Sequence, residues 1–261
     1  MKICLSARMV EQDAPRMPLP DFLRLAKECG YDGVGLRSWQ IPVRPIREEL
    51  EHLVAQVTNS GLEVCSITTD LEHLNEAVSM ARCLGTRVLQ VGADAGTLVT
   101  RLDQLDNDMR IGPQMHTGGV YEQIISTARE LATVADARIG VIVEPANLML
   151  AGVRHWDKDI WKPIAGRIIG CNIQSVEVGK GTSKLNLRDG SSVFYRRVPF
   201  AENEQADWPG FFASLRAIGC NGFVNVIEPV RDDMPIADLA CSCAAYLRQF
   251  IPAESDKEVH P

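Results

Sequence analysis

The sequence lacks the features that mark nucleic-acid-binding and membrane proteins. It contains no run of Lys or Arg and carries a net charge of −7, whereas a protein that grips a nucleic-acid backbone needs a basic face. The apolar segment near the N-terminus, residues 3–5, is too short for a signal peptide or a membrane span. We therefore expect a cytoplasmic protein with neither nucleic acid nor a membrane as its partner.

Cysteine is present, but it lacks the spacing of a metal-binding or redox motif. None of the eight cysteines forms a CxxC pair, and the closest two, Cys241 and Cys243, lie in a predicted helix. Others lie inside apolar runs, as Cys65 does. This pattern predicts buried, reduced thiols rather than a disulfide framework.

Nucleotide-binding motifs are also missing. Neither GxGxxG nor GxxxxGK[ST] follows any predicted strand, so nothing indicates a nucleotide-binding fold. No histidine lies at the end of a predicted strand. His116, in a long connection over residues 94–117, is the best functional histidine if that connection folds over a site.

One local unit recurs along the chain: a helical stretch, a glycine, and then a short β-branched strand. Glycine at the C-terminal end of a helix accepts the left-handed conformation that ends it, and short apolar strands are typical of parallel sheets. The predicted strands are residues 2–6, 33–37, 62–68, 87–92, 139–144, 168–174, 183–188 and 223–228. Alternating helices and strands over 261 residues predict a single (β/α)₈ TIM barrel, with an open doubly wound sheet as the alternative.

The predicted domain covers residues 1–252, and residues 253–261 are expected to be a flexible tail. The segment 170–206 is irregular, because a full helix barely fits between the sixth and seventh predicted strands. We expect the sixth helix to be shortened, or the run 193–198 to be the seventh strand instead.

Two glutamates end apolar strands. Glu144 follows residues 139–143, Glu228 follows residues 223–227, and each precedes a proline. A carboxylate in such a place is costly unless it meets a cation, a metal or hydrogen-bond donors. The pair could bind a divalent ion, act as acid and base in proton transfer, or form salt bridges to an arginine such as Arg37 or Arg197.

Further polar and aromatic side chains lie where a TIM barrel places its active site, at the carboxyl ends of the strands. Arginines there could hold a phosphate or carboxylate, and a tryptophan could form the wall of a sugar pocket. The predicted substrate-binding residues are Arg8, Arg37, Trp39, Asn147 and Arg197.

The chain resembles the xylose isomerase-like TIM barrels, the sugar phosphate isomerases/epimerases. The resemblance runs from the first to the eighth predicted strand and is weakest over residues 170–206. The matching stretches are residues 22–34, 81–92, Gly140-Val-Ile-Val-Glu144 and, most specifically, Asp207-Trp-Pro-Gly through Gly222-Phe-Val224.

The resemblance implies a divalent metal (Mn, Mg, Zn or Co) held by Glu, Asp, His and Glu on the last four strands, with both glutamates moving protons. Glu144 and Glu228 match the two glutamates, whereas Gln174 stands at the Asp position and Asn186 at the His position. Neutral amide oxygens are weaker ligands, so weak or absent metal binding is an alternative.

Two main hypotheses follow for the function. The first is an isomerase or epimerase acting on a small sugar, sugar phosphate or polyol, with Glu144 and Glu228 as the catalytic residues. The second is a non-catalytic or metal-free sugar-binding barrel. A DNA-repair nuclease related by distant analogy is disfavoured by the acidic charge. The resemblance also implies a homodimer or homotetramer.

Overall fold

The computed structural model describes residues 1–11, 16–41, 46–157, 159–229 and 234–253. The chain divides into two compact units, Met1–Leu89 with Phe223–Pro261, and Gln90–Gly222. Eight parallel strands alternate with helices in the described part of the chain, as the repeated unit predicted. The predicted tail lies almost entirely outside the described residues.

The first unit is built from regular strand–helix repeats. Its strands pair side by side in the order β3, β2, β1, β10. β1 pairs with β10 and β2 in parallel, with Leu5 opposite both Val226 and Val34. The elements are β1 Lys2–Ser6, α1 Leu19–Glu28, β2 Gly33–Arg37, α2 Arg47–Ser60, β3 Glu63–Thr69, α3 Leu74–Leu84, β10 Phe223–Val226 and α8 Ile236–Leu247.

The glycines at the helix ends act as the sequence predicted. Gly61 ends α2 with a φ of 69° and Gly85 ends α3 with a φ of 73°. Because a side chain is strained in this left-handed conformation, glycine allows each helix to turn directly into the next strand. The strands are apolar and buried, as Ile3 and Leu5 of β1 illustrate.

The second unit contains the two shortest parallel strands among the described residues, β5 and β6, with three residues each. β4 (Val88–Val91) crosses the division between the units, and Gln90 is its first residue in the second. β5 and β6 are joined by two parallel bridges, and β6 pairs with β7 along its whole length. The other elements are α4 Ala95–Val99, β5 Arg110–Gly112, α5 Ile124–Ala132, β6 Val141–Val143, α6 Pro145–Leu150, β7 Ile168–Ile173 and α7 Trp208–Ala217.

The predicted strand over 183–188 is wrong. Residues 176–197 form an antiparallel hairpin of β8 (Val176–Asn186) and β9 (Ser192–Arg197), outside the parallel sheet. Antiparallel strands need only a short turn, whereas another parallel strand needs a crossover for which there is no room. The missing parallel strand is β5, inside the long connection 94–117, where the three residues Arg110-Ile111-Gly112 show no apolar run.

The cysteine prediction is wrong for one pair. Cys29, at the end of α1, is disulfide-bonded to Cys241 in α8, across 212 residues of sequence. Spacing along the chain gives no sign of this pair, because only folding brings α1 beside α8. No helix among the described residues has both the length and the apolar character needed to cross a membrane.

Candidate functional site

Glu144 is the centre of a buried polar cluster in the second unit. Its side chain is fully buried directly after β6, at the start of the short helix α6. Gln114 and Asn147 donate side-chain N–H bonds to its Oε2, and Gln174 donates one to Oε1 at 2.5 Å. Three amide donors therefore offset the cost of burying the carboxylate.

The strands explain why these groups meet. Glu144 follows β6 and Gln174 follows β7, while Gln114 lies two residues beyond β5. Parallel neighbouring strands bring their carboxyl ends to one edge, which is where TIM barrels carry their sites. Asn147 lies in the first turn of α6 and so returns to Glu144.

Two further amide side chains, those of Asn172 and Gln90, form hydrogen bonds with Gln114. Asn172 Nδ2 donates to Gln114 Oε1 at 2.6 Å and to Gln90 Oε1 at 3.0 Å. Gln90 Nε2 in turn donates to Gln114 Oε1 at 3.3 Å. The carbonyl oxygen of Gln114 is therefore engaged on the side away from Glu144.

Arg197 completes the cluster from the end of β9. Its guanidinium donates to Gln174 Oε1 at 2.9 Å, and the Gln174 amide then donates to Glu144. Arg197 therefore does not form the direct salt bridge to Glu144 that the sequence left open. Asn147 and Arg197, both predicted to bind substrate, lie in this cluster.

The β8–β9 hairpin is attached to the cluster at both ends. β8 begins two residues after Gln174, and β9 ends at Arg197. Val176 packs on Ala146 and Leu150 of α6, with apolar hairpin side chains around them. The hairpin therefore holds α6 and Arg197 in place beside Glu144.

Ion pairs and backbone contacts hold the hairpin itself. Glu177 accepts hydrogen bonds from Arg196 at 2.5 Å and Lys180 at 3.2 Å, and the bond from Arg196 lowers the pKa of Glu177. Glu122 is also buried, and it accepts from the backbone N–H groups of Gly118 and Arg188. These contacts join the hairpin to the segment before α5.

Asn186 does not lie where the sequence placed it. It is an exposed residue of β8 and accepts a hydrogen bond from Ser192 Oγ at 2.9 Å, within the hairpin. The predicted position of Asn186 on a seventh barrel strand is therefore wrong. The seventh parallel strand along the chain is β7, which contains Asn172 and ends just before Gln174.

The first unit holds the other predicted site residues. Glu228 is buried two residues beyond β10. Arg37 is the last residue of β2 and forms an ion pair with Glu11 at 3.3 Å. Burial lowers the pKa of Arg37. Arg8 lies in the turn after β1, close enough to Arg37 to lower that pKa further. Trp39 lies after β2, with the Arg16 guanidinium 5.1 Å from its ring centroid.

Sequence reasoning missed several polar residues of the second unit. Gln90, Gln114 and Asn172 belong to the cluster, but glutamine and asparagine carry no charge and form no motif. A polar residue between two apolar residues of a strand is the signal that could have revealed them, as Gln90 between the buried Leu89 and Val91 shows.

His155 is fully buried in the second unit, although nothing in the sequence marks it as a core residue. Its ring packs edge-on against Trp156 and Phe211, at centroid distances of 4.7 and 5.1 Å. Burial lowers the pKa of His155 to about 3. His116, by contrast, is exposed, and its Nδ1 contacts the Thr117 carbonyl.

The donor set around Glu144 does not fit the divalent metal implied by the resemblance. A cation would need oxygen, imidazole or thiolate ligands directed at it, but Gln114, Asn147 and Gln174 direct amide N–H groups at Glu144. Within the described ranges, no three His, Cys, Asp or Glu side chains form a group that could hold a metal ion.

Comparisons with solved structures confirm the fold. The structure of a xylose isomerase domain protein from Alicyclobacillus acidocaldarius gives a TM-score of 0.71 at 16% identity, over 96% of this chain and 98% of that one. A D-psicose 3-epimerase determined with D-fructose gives 0.71 at 11% identity, over 97% and 100%.

A third structure, an IOLI protein with a bound zinc atom, gives a TM-score of 0.72 at 12% identity, over 96% of this chain and 98% of that one. No protein-family model matches the sequence, and no curated protein matches it either. The chain has the TIM-barrel fold, and its structural neighbours include xylose isomerase-like and sugar isomerase or epimerase proteins, as well as a probable 3-DHS dehydratase.

Proposed function

We propose that this chain is an isomerase or epimerase of a small sugar, sugar phosphate or polyol, with Glu144 as a proton-transfer residue. The observation that carries the proposal is the buried Glu144 carboxylate, held at a strand end by three amide donors. A fixed carboxylate is suited to proton transfer because the base must lie in line with the proton that it removes. The sugar epimerases among the structural neighbours support this substrate class.

The proposed reaction needs a base, an acid and stabilisation of negative charge. Glu144 would take the proton from the carbon beside a carbonyl, and the electron pair would move onto the carbonyl oxygen. Glu228 keeps its predicted role as the second acid or base. The remaining N–H groups of the Arg197 guanidinium are donors of the kind that stabilises a developing oxyanion.

The remaining site residues are proposed to bind the substrate. Arg197 would face an anionic or hydroxyl group, while Arg8, Arg37 and Trp39 remain predicted contacts of the first unit. A homodimer or homotetramer and a cytoplasmic location also remain predictions. The divalent metal implied by the resemblance has no part in the proposed reaction, because Gln114, Asn147 and Gln174 direct N–H groups at Glu144.

The test measures hydrogen–deuterium exchange on a set of sugars, so it does not depend on choosing one substrate in advance. Ketoses, aldoses and their phosphates are incubated with the protein in D₂O, and deuterium at the carbon beside the carbonyl is measured by NMR. We expect Glu144→Gln to slow exchange by roughly 10²- to 10⁴-fold, the usual contribution of general acid–base catalysis. Glu204→Gln, an exposed change in the same unit, is the matched control.

A second candidate function is sugar binding without turnover. The same three amides favour it, because they donate hydrogen bonds to both oxygens of Glu144 and so occupy the atoms that would take up a proton. Calorimetric titration with the same sugars separates the two. Binding without deuterium exchange in the wild type would support the second function and contradict the first.

A further inference from the structure

We propose that Arg197 makes the Glu144 site reject divalent cations, by fixing the orientation of the Gln174 amide. Gln174 then presents N–H rather than carbonyl oxygen to Glu144. The inference concerns the same site as the proposed function, but it is measured by metal binding and not by turnover. The two can therefore fail separately.

The orientation of Gln174 follows from the chemistry of its neighbours. A guanidinium has only donors, so the group that Arg197 contacts at 2.9 Å must be the carbonyl oxygen of Gln174. The amide nitrogen is then left on the other side, where it donates to Glu144 Oε1. Reversing the amide would place two donors together at Arg197 and two acceptors together at Glu144.

The amides of Asn147 and Gln114 are also held with their N–H groups toward Glu144. Asn147 Nδ2 donates to the backbone carbonyl of Met115 at 3.1 Å, and that carbonyl can only accept. Gln114 Oε1 accepts from Asn172 Nδ2 at 2.6 Å, which leaves the Gln114 nitrogen for Glu144. All three amides therefore surround Glu144 with N–H groups.

A cation at Glu144 would meet these N–H groups and not their oxygens. Divalent ions such as Mn²⁺ and Mg²⁺ are bound through oxygen ligands, and the partial positive charge of an amide N–H repels them. Binding would require Gln174 to turn against Arg197 and would break its hydrogen bonds to both neighbours. Arg197 is thus a positioning residue for the cluster.

The first experiment titrates the full chain with MnCl₂ and CoCl₂, followed by calorimetry and by the visible absorption of Co²⁺. We expect no saturable binding at Glu144 below millimolar metal. Stoichiometric binding at micromolar concentration that disappears in Glu144→Gln would overturn the proposal. Binding that persists in Glu144→Gln lies elsewhere and agrees with it.

The second experiment removes the arginine and then restores a donor. In Arg197→Met the Gln174 amide can reverse, so we expect Co²⁺ to bind at least tenfold more tightly than in the wild type. Arg197→Lys retains a side chain that only donates, and we expect it to restore the rejection. Equal Co²⁺ affinity in the wild type and in folded Arg197→Met would contradict the role given to Arg197.

The third experiment replaces the amide itself. Gln174→Asp supplies a carboxylate at the same strand end, and we expect it to gain Co²⁺ binding, with a new absorption band from the bound ion. Gln249→Asp adds the same charge at an exposed position on the chain and should gain none. Circular dichroism establishes that each variant is folded, and a folded Gln174→Asp without Co²⁺ binding would sink the proposal.

Discussion

The two units of the chain are stabilised in different ways. In the first unit, α1 and the turn after it are joined to α8 by a disulfide, an ion pair and a buried hydroxyl contact. In the second unit, the interior itself contains a carboxylate, several amides and a histidine. The difference shows that one unit is reinforced by contacts between its helices α1 and α8, while the other gathers amide donors around a buried carboxylate.

Asp32 is the centre of the contacts that stabilise the first unit. Arg248 donates to both oxygens of Asp32, and Asp32 also accepts from the backbone N–H of Ile3 at 2.7 Å. Tyr31 donates to the Ala240 carbonyl at 2.8 Å, and burial raises its pKa. These contacts join β1, the turn before β2 and α8.

The second unit carries the cost of a buried histidine. Both ring nitrogens of His155 lack a hydrogen-bond partner in the part of the chain that the structure describes, and the ring is enclosed by aromatic side chains. Nearby, Trp208 begins α7, and the Asp207 side chain caps this helix by accepting a hydrogen bond from the backbone N–H of Gly210. Packing in this region depends on the aromatic side chains.

The largest effect is expected from the disulfide, which tests whether the first unit depends on its outer helices. Cys29→Ser/Cys241→Ser should lower the free energy of unfolding by about 2–5 kcal/mol, because the crosslink restricts the unfolded chain over 212 residues. Guanidinium unfolding with and without reductant measures it. Cys83→Ser, an exposed free cysteine, is the control. Equal midpoints in all three proteins would contradict the difference between the units.

A smaller effect is expected from His155, which tests the cost carried by the second unit. Its pKa falls from the ordinary 6.5 to about 3 on folding, so the folded chain keeps the ring neutral. The contribution of His155 to stability is complete above pH 6.5 and is lost as the pH falls from 6.5 toward 3, by up to about 1.4 kcal/mol per pH unit.

Urea unfolding at pH 6.5 and 5.0 measures this dependence. His155→Phe keeps an aromatic ring but cannot be protonated, so its stability should fall less between the two pH values than that of the wild type. His52→Gln, an exposed change in the first unit, should leave the wild-type dependence intact. The same loss of stability in His155→Phe and the wild type would refute the assignment.

The smallest effect is expected from the ion pair of the first unit. Arg248→Ala removes both bonds to Asp32 and the bond to the Gly30 carbonyl, and we expect about 1 kcal/mol because the pair is partly exposed. Arg24→Ala, which breaks the exposed pair with Asp21 on α1, should cost less. Thermal unfolding compares the two, and a larger loss in Arg24→Ala would reverse this ranking.

The sequence predicted the regular strands because their signal is local. Residues 33–37 and 223–227 are apolar runs that follow glycine turns, and the structure has β2 and β10 there. β5 escaped prediction because three residues are too few to show a pattern. The hairpin was mistaken for a parallel strand because Leu185 and Leu187 alternate with polar residues, and this period of two marks a strand without showing the direction of its pairing.

The candidate site was predicted only in part. Glu144 was found because a charge at the end of an apolar strand stands out, and Asn147 and Arg197 were found from their positions beside predicted strand ends. Gln90 and Asn172 were not found, since neutral amides attract no attention until their neighbours are known. The assignment of Asn186 failed with the misplaced strand.

The sequence by itself determined the alternation of helix, glycine and strand, and hence the class of fold, because backbone conformation and apolar runs are properties of neighbouring residues. Only the tertiary structure decided the pairing of Cys29 with Cys241, the burial of His155 and the direction of each amide around Glu144. These features join residues far apart in the chain. The orientation of an amide depends on which partner can only donate and which can only accept, and folding alone brings those partners together.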